Sequence, residues 1–414
     1  MAGPPRIRTG FHDDRPRHHR IRFGIVTIVV VGVGADGWAG LGEPARAELT
    51  SCDVLFGSAR QLALIPLGTP KKTWPSPLLP ALGELLAGHE GNRFGVLASG
   101  DPLLSGIGTT LMKRFGDVRI VPAVSSVTLA RARLGWAAEE TEVVSVVGRN
   151  VHRVARVLTP GARLLVLSSD ASSPAVIAEL LTAHGFGDSA LTVFEQLGSP
   201  AERRVEGVAR TWSAEVDPLN IVAIECVGGP GLATVPGLPD DAFEHDGQLT
   251  KRDLRALALA RLAPLPGRLL WDVGAGAGSV AIEWSRAHPS NRAIAVERDA
   301  ERVARIGRNA ERLGVPDLRV VRGAAPEALD GLPAPDAVFL GGGLSAWRRC
   351  FDALAPGGRL VAHAVTLESE QALAQAYREC GGDLTRVALE HAAPLGGFTG
   401  WTPARTVTQW SISR

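Results

Sequence analysis

Short apolar runs recur along the chain, most of them bounded by glycine, proline or a polar cluster, as expected for strands covered on both faces. In the first half they predict strands at Ile25–Val33, Phe94–Ala98, Val118–Val121, Val143–Val147, Arg163–Ser168, Leu191–Phe194 and Ile221–Glu225. Longer amphipathic segments such as Ser173–His184 separate them and predict helices. The stretch Gly228 to Thr250, GGPGLATVPGLPDDAFEHDGQLT, breaks the alternation with glycine, proline and acids, and reads as a linker. A fresh pattern starts at Lys251: helix Arg252–Leu262, strand Arg268–Val273, helix Ser279–His288, strand Ala293–Glu297, helix Ala300–Leu313, then strands Leu318–Arg322, Ala337–Leu340 and Arg359–Ala364. Strand–helix alternation in both halves predicts an α/β protein of two units, residues 23–236 and 251–414, joined by 237–250. The second should be a doubly wound, Rossmann-like parallel sheet.

The 414 residues are enough for two cores, and 45% hydrophobic with 21% charged is an ordinary globular balance. A net charge of +1 argues against a general nucleic-acid or anionic-membrane partner. Residues 1–22 carry six arginines, two aspartates and three histidines with little apolar content, and are expected to be a disordered extension. The apolar run Phe23 to Val33 passes straight into Gly32-Val33-Gly34 with no small-residue cleavage site, so it reads as a buried first strand. No stretch approaches membrane-spanning length, and the expected location is the cytoplasm. Cys52, Cys226, Cys350 and Cys380 are scattered without metal-ligand spacing, so neither a metal site nor a disulfide framework is expected.

Chemistry first surfaces at Leu269 to Ser279, LLWDVGAGAGS, where an apolar run breaks into Gly274, Gly276 and Gly278. A strand that turns on glycines into a helix lets the backbone lie close to a ligand, and Glu297, about twenty residues on, can accept two ribose hydroxyls. The pattern serves both dinucleotides and S-adenosylmethionine. A dehydrogenase fingerprint wants G-x-G-x-x-G, whereas in G-A-G-A-G the third glycine comes one residue early. Asp272 can orient the loop or a cofactor ammonium; a structural cap for turn amides is an equal alternative.

The surroundings carry a resemblance. Pro356-Gly357-Gly358 before a strand resembles the closing motif of class I S-adenosylmethionine methyltransferases. The segment from Asp240 through Trp284, with GAAPEAL (Gly323–Leu329) and DAVFLGGG (Asp336–Gly343), resembles the cobalamin-pathway methyltransferase domain that decarboxylates and methylates a precorrin. The likeness implies a cofactor site of Thr250, Gly274, Ala275, Gly276, Ala277, Gly278, Glu297 and Ala324, with Lys251 as a substrate candidate. Some relatives carry Asp where Ala324 stands, so an adenine contact there must come from backbone.

In the first half, Val31-Gly32-Val33-Gly34-Ala35-Asp36-Gly37 alone would not discriminate between nucleotide folds. Ala98-Ser99-Gly100-Asp101-Pro102-Leu103-Leu104-Ser105-Gly106 and Pro122-Ala123-Val124-Ser125-Ser126-Val127 resemble the tetrapyrrole methylase family, a class III fold in which two α/β lobes clasp S-adenosylmethionine. Ser169–Leu181, Phe194–Gly207 and Leu219–Glu225 extend the resemblance. It implies cofactor contacts from Gly32, Gly34, Asp101, Leu104, Ser125 and Ser126. Read without it, Ser125-Ser126 is as well explained by a helix cap. Close relatives often have His where Val147 stands, while Arg149 remains a candidate clamp for a substrate carboxylate.

Together the resemblances imply two S-adenosylmethionine sites, one per half. The first would methylate carbon 5 of a precorrin; the second would methylate carbon 15 and remove carbon dioxide from the ring C acetate. Such carbons are nucleophilic and the conjugated imines are an electron sink, so no triad or metal is called for. The expected protein is a homo-oligomer acting on a tetrapyrrole. A cobalt-containing precorrin is the nearest rival substrate. An RNA methyltransferase fits the near-zero charge poorly, and a Rossmann oxidoreductase leaves the first-half motifs unexplained.

Overall fold

The computed structural model describes residues 27–75 and 91–414. The extension expected at 1–22 and the first two residues of the strand predicted from Ile25 lie outside the described residues. The chain forms two compact units: the first spans the described residues up to Trp136 together with Phe194–Arg204, and the second comprises Ala137–Val193 and Val205–Arg414. Among the described residues no helix is long and apolar enough to cross a membrane.

In the first unit, β1 (Thr27–Val33), β2 (Val54–Gly57), β3 (Lys71–Thr73), β4 (Arg93–Ser99) and β5 (Val118–Val121) form a parallel sheet in the order β3-β2-β4-β1-β5. The apolar run of β1 is continuous because both faces are covered. Val29, Val31 and Val33 point to a cluster with Leu41, Leu49 and Leu55, while Ile28 and Val30 join Phe56, Phe94 and Val96 on the other side. Helices α1 (Glu43–Thr50), α2 (Ala59–Ala63), α3 (Ile107–Phe115) and α4 (Ser126–Leu134) connect the strands.

A mixed sheet of β6 (Thr141–Ser145), β7 (Arg163–Leu167), β8 (Ala190–Glu195), β9 (Arg203–Val208) and β10 (Asn220–Glu225), ordered β6-β7-β10-β8-β9, with α5 (Ser173–Ala183), belongs to the second unit except for the last two residues of β8 and the first two of β9. The strand expected at Val143–Val147 runs instead from Thr141 to Ser145, so Val146 and Val147 lie in the following turn. That turn is closed by the Arg149 amide donating to the Val146 carbonyl at 3.0 Å around Gly148, φ +60°.

A seven-stranded sheet follows. Its strands are β11 (Leu269–Val273), β12 (Arg292–Glu297), β13 (Arg319–Arg322), β14 (Ala337–Leu340), β15 (Arg359–Ala364), β16 (Asp383–Val387) and β19 (Val407–Ser413), in the order β13-β12-β11-β14-β15-β19-β16. The first five are parallel; β19 is antiparallel to both neighbours. Helices α6 (Arg252–Leu262), α7 (Ser279–Ala287), α8 (Ala300–Arg312), α9 (Trp347–Ala353) and α10 (Leu367–Cys380) pack around it, and β17 (Glu390–Leu395) pairs with β18 (Phe398–Pro403) as a separate hairpin. The five sheet strands and three helices read from the sequence after Lys251 stand within a residue or so of their expected ends.

The stretch read as a linker is closely packed. Leu238 and Phe243 are buried, and fully buried Arg255 of α6 ties the strap down. Its guanidinium donates to Glu283 of α7 at 2.6 Å, to the Leu238 and Thr250 carbonyls, and to Asp240 at 3.3 Å, above the Phe243 ring. Glu283 also accepts the Gly237 and Leu238 amides, at 2.6 and 3.0 Å. Every polar atom of this buried pair thus has work to do, the condition under which an ion pair is tolerated inside a protein.

Candidate functional site

In the first unit the candidate residues gather at the carboxyl ends of three adjacent strands, β4, β1 and β5. Gly32 is the point of closest approach: a Cβ there would lie 2.0 Å from the Gly100 carbonyl oxygen and 2.7 Å from the Ala123 amide nitrogen. Gly100, at φ +57°, in turn sits against the Ser125 backbone, so the three strand-end turns touch one another. Gly34 follows β1, and the Asp36 carboxylate folds over it. Asp101 and Leu104 form the turn after Gly100; the Asp101 carboxylate accepts the Leu103 amide at 2.8 Å, and the Leu104 amide reaches the Asp101 carbonyl at 3.1 Å. Ser125 is the N-cap of α4, its hydroxyl accepting the Thr128 amide at 3.1 Å, and Ser126 is the helix's first residue. Arg149 belongs to the second unit, in the turn after β6, and is exposed.

The second unit contains an open cavity of about 1400 Å³ at the carboxyl ends of its parallel strands. Thr250, Lys251, Gly274, Ala275, Gly276, Glu297 and Ala324 all line it, whereas Ala277 and Gly278 lie behind the lining, in the turn that starts α7. Gly274 and Gly276 have φ +69° and +58°, and a Cβ on either would come within 2.8 Å of backbone, of Gly342 and Gln248 respectively. Both the left-handed conformation and the space require glycine. Glu297, buried at the end of β12, braces the loop: one oxygen accepts the Gly276 amide at 2.9 Å and the other the Asp299 amide at 3.0 Å. A carboxylate has roughly four acceptor positions, so two remain for hydroxyl groups. Asp272 is enclosed beneath the loop and takes the Ala281 amide at 2.9 Å. Burial pushes its carboxyl up to about 7; the Ala281 hydrogen bond opposes this and the Glu297 charge adds to it.

On the strap side, Asp246 receives Arg302 at 2.8 Å and the Gln248 amide at 3.1 Å, and the Arg302 hydrogen bond chiefly holds its carboxyl far below the usual range. The cavity is also lined by groups the sequence reading missed: Ser345 after β14, His363 of β15, His391 of β17 and Arg405 before β19. The His363 ring stands edge-on to Phe339, centroids 5.1 Å apart, and its Nε2 lies 2.9 Å from Gln409 Oε1. Burial lowers the pKa of this imidazole, against the Gln409 hydrogen bond. A histidine inside the otherwise apolar LVAHA of β15 was the available signal; its pairing with Gln409 depends on β-strand register across 46 positions. Among the described residues no group of His, Cys, Asp and Glu could hold a metal ion.

Residues 27–212 match the family described as Tetrapyrrole (Corrin/Porphyrin) Methylases, and residues 241–414 match the Precorrin methyltransferase domain. A curated relative from Mycobacterium tuberculosis (strain ATCC 25618 / H37Rv), named precorrin-6Y C(5,15)-methyltransferase [decarboxylating], is 48% identical over 398 residues, 94% of this chain and 100% of the relative. A relative of the same name from Sinorhizobium sp is 47% identical, covering 94% of this chain and 96% of its own. The crystal structure of the C-terminal domain of precorrin-6Y C5,15-methyltransferase from Rhodobacter capsulatus is 49% identical, with 44% of this chain and 100% of that one covered and a TM-score of 0.42.

Proposed function

The chain belongs to the precorrin-6Y C(5,15)-methyltransferase (decarboxylating) family, and from that premise we propose that it methylates precorrin-6Y at carbons 5 and 15 and removes carbon dioxide from the ring C acetate, giving precorrin-8X. The observation that carries this reading is the second unit's cavity, with a glycine floor and a buried ribose-type carboxylate on one side and cationic and imidazole groups on the other. S-adenosylmethionine, when bound, supplies an electrophilic methyl there. Gly274, Ala275 and Gly276 admit a ligand against the backbone, Glu297 keeps acceptor positions for ribose hydroxyls, and the Gly323–Ala325 edge borders the base through backbone groups. Ala277 and Gly278 support the turn, and Thr250 closes the strap side. Carbon 15 methylation and decarboxylation belong to this half.

The first half provides a second cofactor site for carbon 5, using Gly32, Gly34, Asp101, Leu104, Ser125 and Ser126. Precorrin carboxylates call for cations, and Arg149 in one half and Lys251 in the other serve as anchors. Nucleophilic carbons need mainly to be held in line with the methyl, a task for shape and charge rather than for a strong base. Cobalt-free substrate is favoured by the two relatives that cover 94% of the chain, both named for precorrin-6Y.

The test uses the whole chain with precorrin-6Y and S-adenosylmethionine carrying a deuterated methyl, read by mass spectrometry. A gain of two labelled methyls with loss of one carbon dioxide is expected; unchanged mass overturns the proposal, and turnover confined to the cobalt-loaded macrocycle moves it to the cobalt branch. Glu297→Ala should leave a product with a single methyl and its carboxyl intact. Equal loss of both methyls would refute independent sites.

A further inference from the structure

We propose that the imidazole of His363, held by Gln409, carries the proton of the decarboxylating methylation, taking it from the bridge carbon that receives the methyl and giving it to the acetate arm that loses carbon dioxide. This rests on the function proposed above and assigns that site its acid–base group.

The need for such a group comes from the balance of the reaction. An unsubstituted bridge carbon carries one hydrogen; when its π pair forms the new C–C bond, the methyl–sulfur bond breaks and its pair stays on sulfur as a neutral thioether. The carbon then holds both hydrogen and methyl, and loss of that hydrogen as a proton returns a pair to the macrocycle. Departure of carbon dioxide from the acetate puts the broken C–C pair into the same conjugated imines and leaves an exocyclic methylene, which becomes a methyl by taking one proton. One proton is released and one consumed, so a single carrier beside both carbons suffices.

The cavity places His363 for this work. Its cofactor-type features lie over β11, β12 and β13, whereas His363 lines the part over β14 and β15, next to the glycines that follow β14. Among the cavity's other titratable groups, Asp240 is engaged by Lys251 and Arg255, Glu297 by two amides, and Asp253 and His391 are exposed. Asp240 is committed to its two cations, whereas His363 is partly buried and held by a neutral packed partner: Gln409 is only 4% exposed, and the Phe339 ring stands edge-on against the imidazole. With Gln409 Oε1 accepting from Nε2–H, Nδ1 carries the lone pair and is the atom that takes the proton. Burial favours the neutral, proton-accepting ring. The charged and titratable groups that line the cavity with it from neighbouring elements are Lys251, Arg252 and Asp253 at the start of α6, His391 of β17 and Arg405 between β18 and β19, whereas Glu370 of α10 bonds Thr408 on the opposite face of the sheet.

The whole chain is assayed with precorrin-6Y for methyl gain and carbon dioxide loss as functions of pH, and cofactor affinity is measured by calorimetry. His363→Gln should lower formation of the decarboxylated product by about a hundredfold or more, with single methylation by the first half and cofactor affinity within about twofold of wild type. Gln409→Glu puts a carboxylate against the ring and should keep turnover while moving the acid limb of its pH profile upward by about one unit. Product formation by His363→Gln near the wild-type rate, or an acid limb unmoved in Gln409→Glu, overturns the assignment. The second variant decides should the first lose cofactor binding. Wild-type protein that leaves precorrin-6Y unchanged overturns the underlying function, and this inference with it.

Discussion

The strand ends of the first unit and those of the second use the same local signal, glycine directly after a buried parallel strand, for different ends. At Gly32 the missing side chain lets three turns close on one another, and the neighbouring polar groups of Asp101 and Ser125 bond to backbone of their own turns. At Gly274 and Gly276 it lets the loop lean on Gly342 and Gln248 while its other face lines a wide cavity roofed by the strap. Glycine at a strand end therefore reports close backbone approach; whether that approach packs a protein or floors a binding site depends on what residues far along the chain leave open.

The strongest way to break this contrast is to cut the knot that holds the strap. Arg255→Met leaves Glu283 buried without its charge partner and should cost about 3–5 kcal/mol, seen as a lower urea midpoint. Because the strap supplies Thr250 and Lys251 to the cavity, cofactor binding by the second half should fall with it. Unchanged stability would mean that the strap is not what shapes the site.

Next in size is a pH effect confined to the second unit. Asp272 has its carboxyl raised to about 7, above the ordinary unfolded value, so the folded chain keeps a proton that the unfolded chain releases. Stability from this group is full below about pH 4 and is lost as pH rises toward 7, at up to about 1.4 kcal/mol per unit. Asp272→Asn should remove that slope from urea midpoints collected between pH 4 and 8, while keeping the Ala281 hydrogen bond. Since the Glu297 charge contributes to the shift, Glu297→Gln should reduce the slope too.

A matched pair of alanines sharpens the comparison further. Gly32→Ala drives a methyl into the Gly100 carbonyl, and Gly274→Ala combines a 2.8 Å backbone approach with a left-handed conformation. Each should cost roughly 1–3 kcal/mol, and each should remove one methylation: the first the carbon 5 methyl, the second the carbon 15 methyl with carbon dioxide loss. Product masses distinguish them, and loss of both methyls from either variant would contradict two separate sites.

What the sequence made legible follows from these forces. Strands covered on both faces, such as β1 and β11, write themselves as unbroken apolar runs, and the glycine loop with Glu297 lies within some thirty residues. The last strand of the large sheet hid because Thr408 and Gln409 occupy buried positions, satisfied by Glu370 and His363. The side of the cavity bearing His363, His391 and Arg405 was likewise invisible, since strand order brings these residues to a glycine loop about ninety or more positions earlier. The strap read as a linker because its apolar anchors, Leu238 and Phe243, are few and widely spaced, and the rest of its order comes from polar groups of later helices, Arg255, Glu283, Arg302 and Asn309.

The smallest expected effect separates the two readings of Ser125. Its hydroxyl accepts the Thr128 amide and lies 3.0 Å from the Thr128 hydroxyl, so Ser125→Ala should cost about 1 kcal/mol as a lost cap. If capping is all it does, first-half cofactor affinity, measured on protein made silent at the second site by Glu297→Ala, should stay within about twofold of its parent, and Ser125→Asp, another good cap, should restore stability. A hydroxyl that also meets the cofactor gives a different pattern: affinity drops on Ser125→Ala, and the carboxylate of Ser125→Asp rescues stability without rescuing binding. The second pattern would show that the first unit's compact strand ends bind ligand with groups already engaged in holding their own turns.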